Sequence, residues 1–120
     1  MYDIEKLEAF WNVKVPNDLK TYWMNTETFE GFCSDNPESE YVRFCSAQDS
    51  LAEFSLETRE FMPFGFLPLG TNGSGELIVF AADHGYGLLP SVHGGANDFH
   101  SIANSLKEFW EKSKNGSWFD

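Results

Sequence analysis

Two runs of apolar residues flank a short glycine-containing turn in the second half of the chain. Residues 64–69 and 75–82 are rich in Phe, Leu, Ile and Val, and the segment Thr71-Asn72-Gly73-Ser74 lies between them. This pattern predicts an antiparallel β-hairpin, because Gly and Asn readily adopt the left-handed backbone of tight turns. Residues 86–92 predict a further strand, with Pro90 near its edge. We therefore expect an antiparallel sheet built around this hairpin.

Helical spacing of apolar residues predicts two helices at the N-terminus. Ile4, Leu7 and Trp11 share one face of the first helix. Pro16 suits the first turn of the second helix, since the helix needs no backbone donor there. We expect this helix to end near Asn25.

The C-terminal region predicts a third helix. Ser105 and Glu108 have the spacing of a capping box, and Gly116 is a typical residue just beyond a helix end. An alternative start for this helix lies earlier, at Asp98. We expect this C-terminal helix to flank the sheet together with the two N-terminal helices.

The middle of the chain combines an expected loop, a strand and a short helix. Residues 27–40 lack a clear period and contain Gly, Pro and acids, which is typical of a loop. Residues 41–45 predict a strand, and residues 46–49 have capping-box spacing that predicts a short helix through Phe54. The 120-residue chain has the size of one domain, with 12 Phe residues to form its core. We expect a single α+β domain, residues 1–120, with a central, mainly antiparallel sheet between N-terminal helices and a C-terminal helix.

The net charge of −11 argues against several classes of partner. Nucleic acids and anionic membranes attract cationic proteins, so neither is expected to bind this chain. The N-terminal residues are acidic where a secretory signal would be basic, and the longest apolar run has six residues, 77–82. We therefore expect a cytoplasmic protein. Cys33 and Cys45 are then expected to be reduced thiols, with a disulfide as the alternative.

The sequence contains no recognisable catalytic, cofactor or metal motif. The three histidines at 84, 93 and 100 match no zinc-binding spacing, and we expect them in solvated loops. The turn at residues 70–75 lacks the following helix and Lys of a phosphate loop. We predict no enzyme activity, no cofactor and no bound metal. The alternative is a small enzyme or ligand binder that uses His84, His93 and Asp98.

Acidic residues are concentrated between residues 27 and 60, a segment that contains nine acidic residues and only two arginines. Such a segment is either a solvated acidic face or a docking surface for a basic protein. Phe29 and Phe32 lie in the predicted loop and can serve as exposed anchors. The predicted partner-binding residues are Glu27, Phe29, Glu30, Phe32, Asp35, Glu38, Glu40, Asp49, Glu53, Glu57 and Glu60.

Three segments together resemble the SUKH superfamily of Smi/Knr-type proteins. They are VPNDLKTYWMN at residues 15–25, FLPLGTNGSGELIVF at 66–80 and IANSLKEFW at 102–110, in the family's order. Thr26 replaces the Gly that usually follows Asn25, and Asn72 replaces a common Asp. The residues at family motif positions are Pro16, Asn25, Gly70, Gly75, Glu76, Ala103, Ser105 and Phe109, and their types suggest structural roles.

The resemblance implies a non-enzymatic role in binding other proteins. Bacterial SUKH proteins are immunity proteins that neutralise a cognate toxin, very often a nuclease, and fungal relatives are regulators of cell-wall synthesis that act as scaffolds. The resemblance thus implies a cognate toxin as the partner, and a regulatory scaffold for an endogenous partner as the alternative. The acidic segment between residues 27 and 60 suggests that the surface of the toxin is basic.

Overall fold

A computed structural model of the chain describes residues 4–25, 28–47, 62–90 and 95–119. These residues form three helices and six strands. In chain order they are α1 (Ile4–Trp11), α2 (Asn17–Asn25), β1 (Phe29–Phe32), β2 (Tyr41–Phe44), β3 (Phe66–Thr71), β4 (Glu76–Ala81), β5 (Gly85–Pro90), β6 (His100–Ala103) and α3 (Leu106–Asn115). The α+β class expected from the sequence is confirmed, as are the two N-terminal helices and the C-terminal helix.

The six strands form one antiparallel sheet in which each strand pairs with its neighbours in the sequence, in the order β1-β2-β3-β4-β5-β6. The hairpin of β3 and β4 lies at its centre, as predicted. The side chain of Asn72 stabilises the hairpin turn, because its Oδ1 accepts from the Ser74 N–H at 2.9 Å and its Nδ2 donates to Glu76 Oε1 at 3.0 Å. The Asn at this position therefore keeps a structural role within the turn.

Apolar side chains pack on both faces of the sheet because successive residues of a strand point to opposite sides. On one face, residues from all three helices pack against the sheet; this cluster includes Leu7, Trp11, Leu19, Phe44, Ile78, Leu88 and Phe109. A smaller cluster on the opposite face contains Phe66, Val79, Ala81 and Leu89. Ile78 and Val79, adjacent in β4, thus belong to different clusters.

Two strands differ from the sequence predictions. β1 lies inside residues 27–40, which the sequence predicted as a loop, and β6 occupies residues where an earlier start of the last helix was considered. Neither strand has the run of β-branched and aromatic residues that predicted β2, because Glu30 and Gly31 interrupt β1 and only Ile102 is β-branched in β6. Each exists because a neighbouring strand supplies its hydrogen-bond partners, β2 for β1 and β5 for β6.

Several predictions fall on residues that the structure does not describe. The predicted short helix through Phe54 lies mostly in residues 48–61, and the predicted extension of β5 to Val92 lies in residues 91–94. Cys33 is half-buried and Cys45 is buried, and the two thiols are not bonded to each other.

Both ends of α3 are capped, and its C-terminal end contacts the loop between β1 and β2. Ser105 Oγ accepts from the Glu108 N–H, as the capping box predicted, while the Glu108 carboxylate accepts from the Asn104 N–H at 2.9 Å. At the other end Gly116 adopts a left-handed backbone (φ 66°), and a Cβ built there would lie 2.0 Å from the Glu38 carbonyl oxygen. This close approach requires glycine, and the loop is held there by hydrogen bonds from Ser34 Oγ to the Lys114 carbonyl and from the Glu40 N–H to the Ser113 carbonyl.

Candidate protein-binding surface

Six of the eleven predicted partner-binding residues lie in described parts of the chain. They are Phe29, Glu30, Phe32, Asp35, Glu38 and Glu40, on β1 and on the loop that follows it. The remaining five, Glu27, Asp49, Glu53, Glu57 and Glu60, lie outside the described residues. The sheet therefore brings the first six together at its β1 end.

The pairing of β1 with β2 separates the two phenylalanines of β1. Phe29 packs edge-to-face on Trp110 of α3, with ring centroids 5.6 Å apart, and is half-buried on the helix side of the sheet. Glu30 and Phe32 occupy alternate positions and point to the opposite face. Most of the Phe29 ring is thus engaged in packing, whereas 68% of Phe32 is exposed.

The exposed residues Phe32 and Glu30 and the half-buried Tyr41 form a small surface cluster, which we call the β1–β2 cluster. Tyr41 lies opposite Phe32 in the register, and the two rings meet edge-to-face at 5.4 Å. The Tyr41 hydroxyl donates to the Glu30 carboxylate, and this hydrogen bond raises the pKa of Tyr41. The cluster combines an aromatic surface with a carboxylate, a combination suited to packing against apolar and cationic groups of a partner.

The acidic loop, residues 33–40, adjoins this cluster. Asp35 and Glu38 are exposed. The loop is held by its own hydrogen bonds and by α3: Asn36 Oδ1 accepts from the Glu38 N–H at 2.9 Å, and Ser34 Oγ donates to the Lys114 carbonyl at 3.0 Å. The carboxylates of Asp35 and Glu38 therefore project from an anchored backbone. This anchoring reduces the conformational entropy that the loop loses when a partner binds.

Glu40 differs from the other two acids of the loop. It is half-buried, and its backbone N–H donates to the Ser113 carbonyl at 2.8 Å. Burial, together with the charge of Glu76, raises the pKa of the Glu40 carboxyl. Glu40 is consequently less accessible to a partner than Asp35 or Glu38, which are exposed.

Tyr41 was not among the residues predicted to bind a partner. The signal was present in the alternation of β2, where Val42 and Phe44 are buried and Tyr41 and Arg43 are half-buried. Because residues i and i+2 share one face, Tyr41 and Arg43 belong to the face that carries Phe32. Which of the two faces is exposed became evident only from the helices that cover Val42 and Phe44.

A second feature of the surface is an aromatic pocket of about 180 Å³ between the end of α1 and the segment that enters β3. Its lining residues are Phe10, Trp11, Asn12, Met62, Pro63, Phe64 and Phe66. Phe64 is 85% exposed at its margin. No charged residue lines the pocket within the described chain, so it suits an apolar side chain rather than a charged ligand.

The described histidines and acids do not converge on a metal site. Among residues 4–25, 28–47, 62–90 and 95–119, no group of three His, Cys, Asp or Glu side chains could hold a metal ion. His84 and Asp98 are exposed, and His93 lies outside the described residues. His100, which was expected in a loop, is instead the first residue of β6, and its Nε2 lies 2.8 Å from the Trp118 carbonyl oxygen. In the same described ranges, no helix is long and apolar enough to span a bilayer.

Comparison with known proteins identifies the family. A search of curated individual proteins gives no match. The family model described as the SMI1/KNR4 family (SUKH-1) matches residues 2–112, which include the strands β1 to β6 and most of the three helices. Because this match covers most of the 120 residues, the chain belongs to the SMI1/KNR4 family (SUKH-1).

Proposed function

We propose that this protein is a non-enzymatic immunity protein that acts in the cytoplasm and neutralises a cognate nuclease toxin of a bacterial polymorphic toxin system. Family membership supports a toxin-immunity or a regulatory role, and the family is generally non-catalytic. The proposed binding surface lies between residues 27 and 60. Its described part consists of the β1–β2 cluster and the acidic loop.

The observation that carries this proposal is the exposure of Phe32 beside exposed carboxylates. Phe32 is 68% exposed, and Asp35 and Glu38 are exposed in the adjacent loop. A nuclease that binds the phosphate groups of nucleic acid needs a cationic cleft, and an acidic surface is complementary to such a cleft. An aromatic ring within the acidic surface adds apolar contact area, which charge alone does not provide.

The net charge of the whole chain also favours a cationic protein as the partner. An excess of 19 acidic over 8 basic residues creates a negative field that speeds the encounter with a cationic protein. This attraction weakens as salt screens it. Binding that depends on the acidic surface should therefore weaken between low and moderate salt.

The experiment has two stages, capture and protection. Tagged protein captures partners from a lysate of its own organism at low and moderate salt, and mass spectrometry identifies them. A captured toxin is then expressed in a host with and without this protein. We expect a basic toxin domain in near-stoichiometric amount, nuclease activity that this protein blocks, and survival of the host.

A pair of charge-reversal variants tests whether the proposed surface is responsible. Asp35→Lys/Glu38→Lys reverses two exposed acids of the acidic loop, and Glu5→Lys/Glu111→Lys reverses two exposed acids on α1 and α3 with the same change in net charge. We expect the first variant to lose protection and the second to retain it. Equal protection by both would contradict the proposed surface.

The same capture decides between immunity and regulation. Family membership supports a regulatory scaffold for an endogenous partner as well. An endogenous enzyme or structural protein recovered in stoichiometric amount, with no toxin, would replace the immunity proposal by the regulatory one.

A further inference from the structure

The backbone geometry of β1 leaves one row of its polar groups facing away from the sheet. In an antiparallel pair, residues alternate between those that exchange backbone hydrogen bonds with the partner strand and those that do not. Cys33 N–H donates to the Glu40 carbonyl at 3.0 Å, just beyond the Phe32–Tyr41 pair. The alternation therefore places the N–H and C=O groups of Phe32 and Glu30 on the outer side of β1.

The neighbouring strand gives the same result independently. Cys45 N–H donates to the Leu69 carbonyl at 2.7 Å, so Cys45 and, by alternation, Arg43 direct their backbone groups towards β3. Arg43 lies opposite Glu30 in the register. Glu30 thus receives no ladder bond from β2, and its backbone groups point outward.

β1 is an edge strand of the sheet within the described parts of the chain. Among the described residues β1 pairs with β2 alone. Lys, Pro and bulges are three of the devices that block natural edge strands, and all three are absent from Phe29–Phe32. Glu30 and Phe32, whose backbone groups point outward, carry an exposed carboxylate and a phenylalanine ring that is 68% exposed.

We propose that the outer edge of β1 binds an extended, cationic segment of the protein partner as an added β-strand. Main-chain bonds to Glu30 and Phe32 would supply part of the affinity. The Glu30 carboxylate and the acidic loop would select cationic side chains, and the Phe32 ring would cover an apolar side chain of the added strand. This inference rests on the proposed protein-binding function and specifies its mode of recognition.

Charge favours a cationic partner over a second copy of the chain. Two copies that pair through β1 would bring two molecules of net charge −11 together, with Glu30 and the acidic loop of each near the other. Like charges across paired strands are destabilising. A basic segment of a partner would instead be attracted to Glu30 and the acidic loop.

The experiment uses short synthetic peptides as probes and nuclear magnetic resonance of the full chain labelled with ¹⁵N. In the first peptide, lysine and valine take turns at every second position with threonine between them, so that both lie on the face that carries Glu30 and Phe32. The second peptide has the same sequence with backbone N-methylation of the lysines and valines, and the third has glutamate in place of lysine. N-methylation removes the backbone donors that point towards β1 but keeps the charge and most of the side-chain surface. Hydrogen exchange of the free protein is measured first.

We expect the Glu30 and Phe32 amides to exchange rapidly in the free protein, and to shift and become protected when the lysine peptide binds. The N-methylated and glutamate peptides should bind at least about tenfold more weakly, because each lacks one of the two required interactions. Phe32→Ala should weaken binding of the lysine peptide about tenfold, whereas Phe64→Ala, which removes an exposed ring outside β1, should not.

Four results would overturn strand addition. Slow exchange of these two amides in the free monomer would mean that the edge is already covered by the chain itself, and protection that grows with protein concentration would identify a second copy as the occupant. If the lysine and N-methylated peptides bound with equal affinity near Asp35 and Glu38, recognition would be electrostatic and would not involve strand addition. The proposed protein-binding function would then still stand. Absence of binding by all peptides would also overturn strand addition, while toxin protection remains a separate test of the function.

Discussion

The Tyr86 hydroxyl donates a 2.7 Å hydrogen bond to Asp18 Oδ1, across 68 residues of sequence. The other oxygen of the same carboxylate accepts from the Leu106 N–H at 2.8 Å. One side chain at the start of α2 thereby joins β5 to the first turn of α3. A carboxylate is favourable at both helix starts, where unpaired N–H groups carry partial positive charge.

Asp18→Asn should lower the free energy of unfolding by about 1–3 kcal/mol, because the amide nitrogen cannot accept a bond and would face one of the donors. Urea denaturation measures the change. Asp35→Asn removes one charge from the exposed loop and should change stability by less than about 0.5 kcal/mol. Equal effects of the two variants would show that Asp18 does not join these elements.

Tyr86 should make stability depend on pH in the alkaline range. Burial, and then the hydrogen bond to Asp18, raises the pKa of Tyr86 above its ordinary value of 10.0. The folded chain therefore keeps the phenolic proton where the unfolded chain has lost it. This contribution is complete below pH 10.0 and is lost as the pH rises through the raised pKa.

The matched variant for this prediction is Tyr86→Phe, which removes only the hydroxyl. Urea denaturation at a series of pH values should find the natural chain more stable at neutral pH, by about 1–2 kcal/mol. The difference should shrink above pH 10.0. A difference that stays constant up to strongly alkaline pH would contradict the assignment.

Gly116→Ala should destabilise the protein more than Gly75→Ala. Both glycines have positive φ, so alanine costs about 1 kcal/mol at either position. A Cβ at Gly75 meets nothing within 4 Å, whereas one at Gly116 would lie 2.0 Å from the Glu38 carbonyl oxygen. Thermal denaturation compares the two, and a similar loss in both would mean that the loop does not pack on the end of α3.

Cys33 should react slowly with alkylating agents at neutral pH. Burial, and then the charge of Glu40, raises the pKa of the Cys33 thiol from 9.0 to about 11, so little thiolate is present. In a Cys45→Ala background, the pH profile of iodoacetamide alkylation should have its midpoint near 11. Glu40→Gln should move this midpoint down, and an unchanged midpoint would place the Glu40 charge too far away to act.

Local pattern was sufficient to predict the elements that have their own signals. The capping pair Ser105 and Glu108 and the turn around Asn72 could be predicted because their partners lie within four residues. The Asp18 bonds could not be predicted, because Tyr86 and Leu106 are brought to it only by the complete fold.

The candidate surface was predictable in composition but not in geometry. The excess of acids marked residues 27–60, yet nothing local distinguished Phe29 from Phe32. Their environments differ because β1 is a strand: one ring meets Trp110 of α3, and the other points to the open face. The edge position of β1 likewise depends on sheet order, which is a property of the whole chain.

The most direct measurement is the dissociation constant of the complex with the captured partner at low and moderate salt. It is made for the natural chain, for Asp35→Lys/Glu38→Lys and for Glu5→Lys/Glu111→Lys. We predict that reversal in the acidic loop weakens binding about tenfold or more and reduces its salt dependence, while the equally charged control stays close to the natural chain. Equal weakening in both variants would mean that net charge alone acts, and unchanged binding in both would place the interface elsewhere.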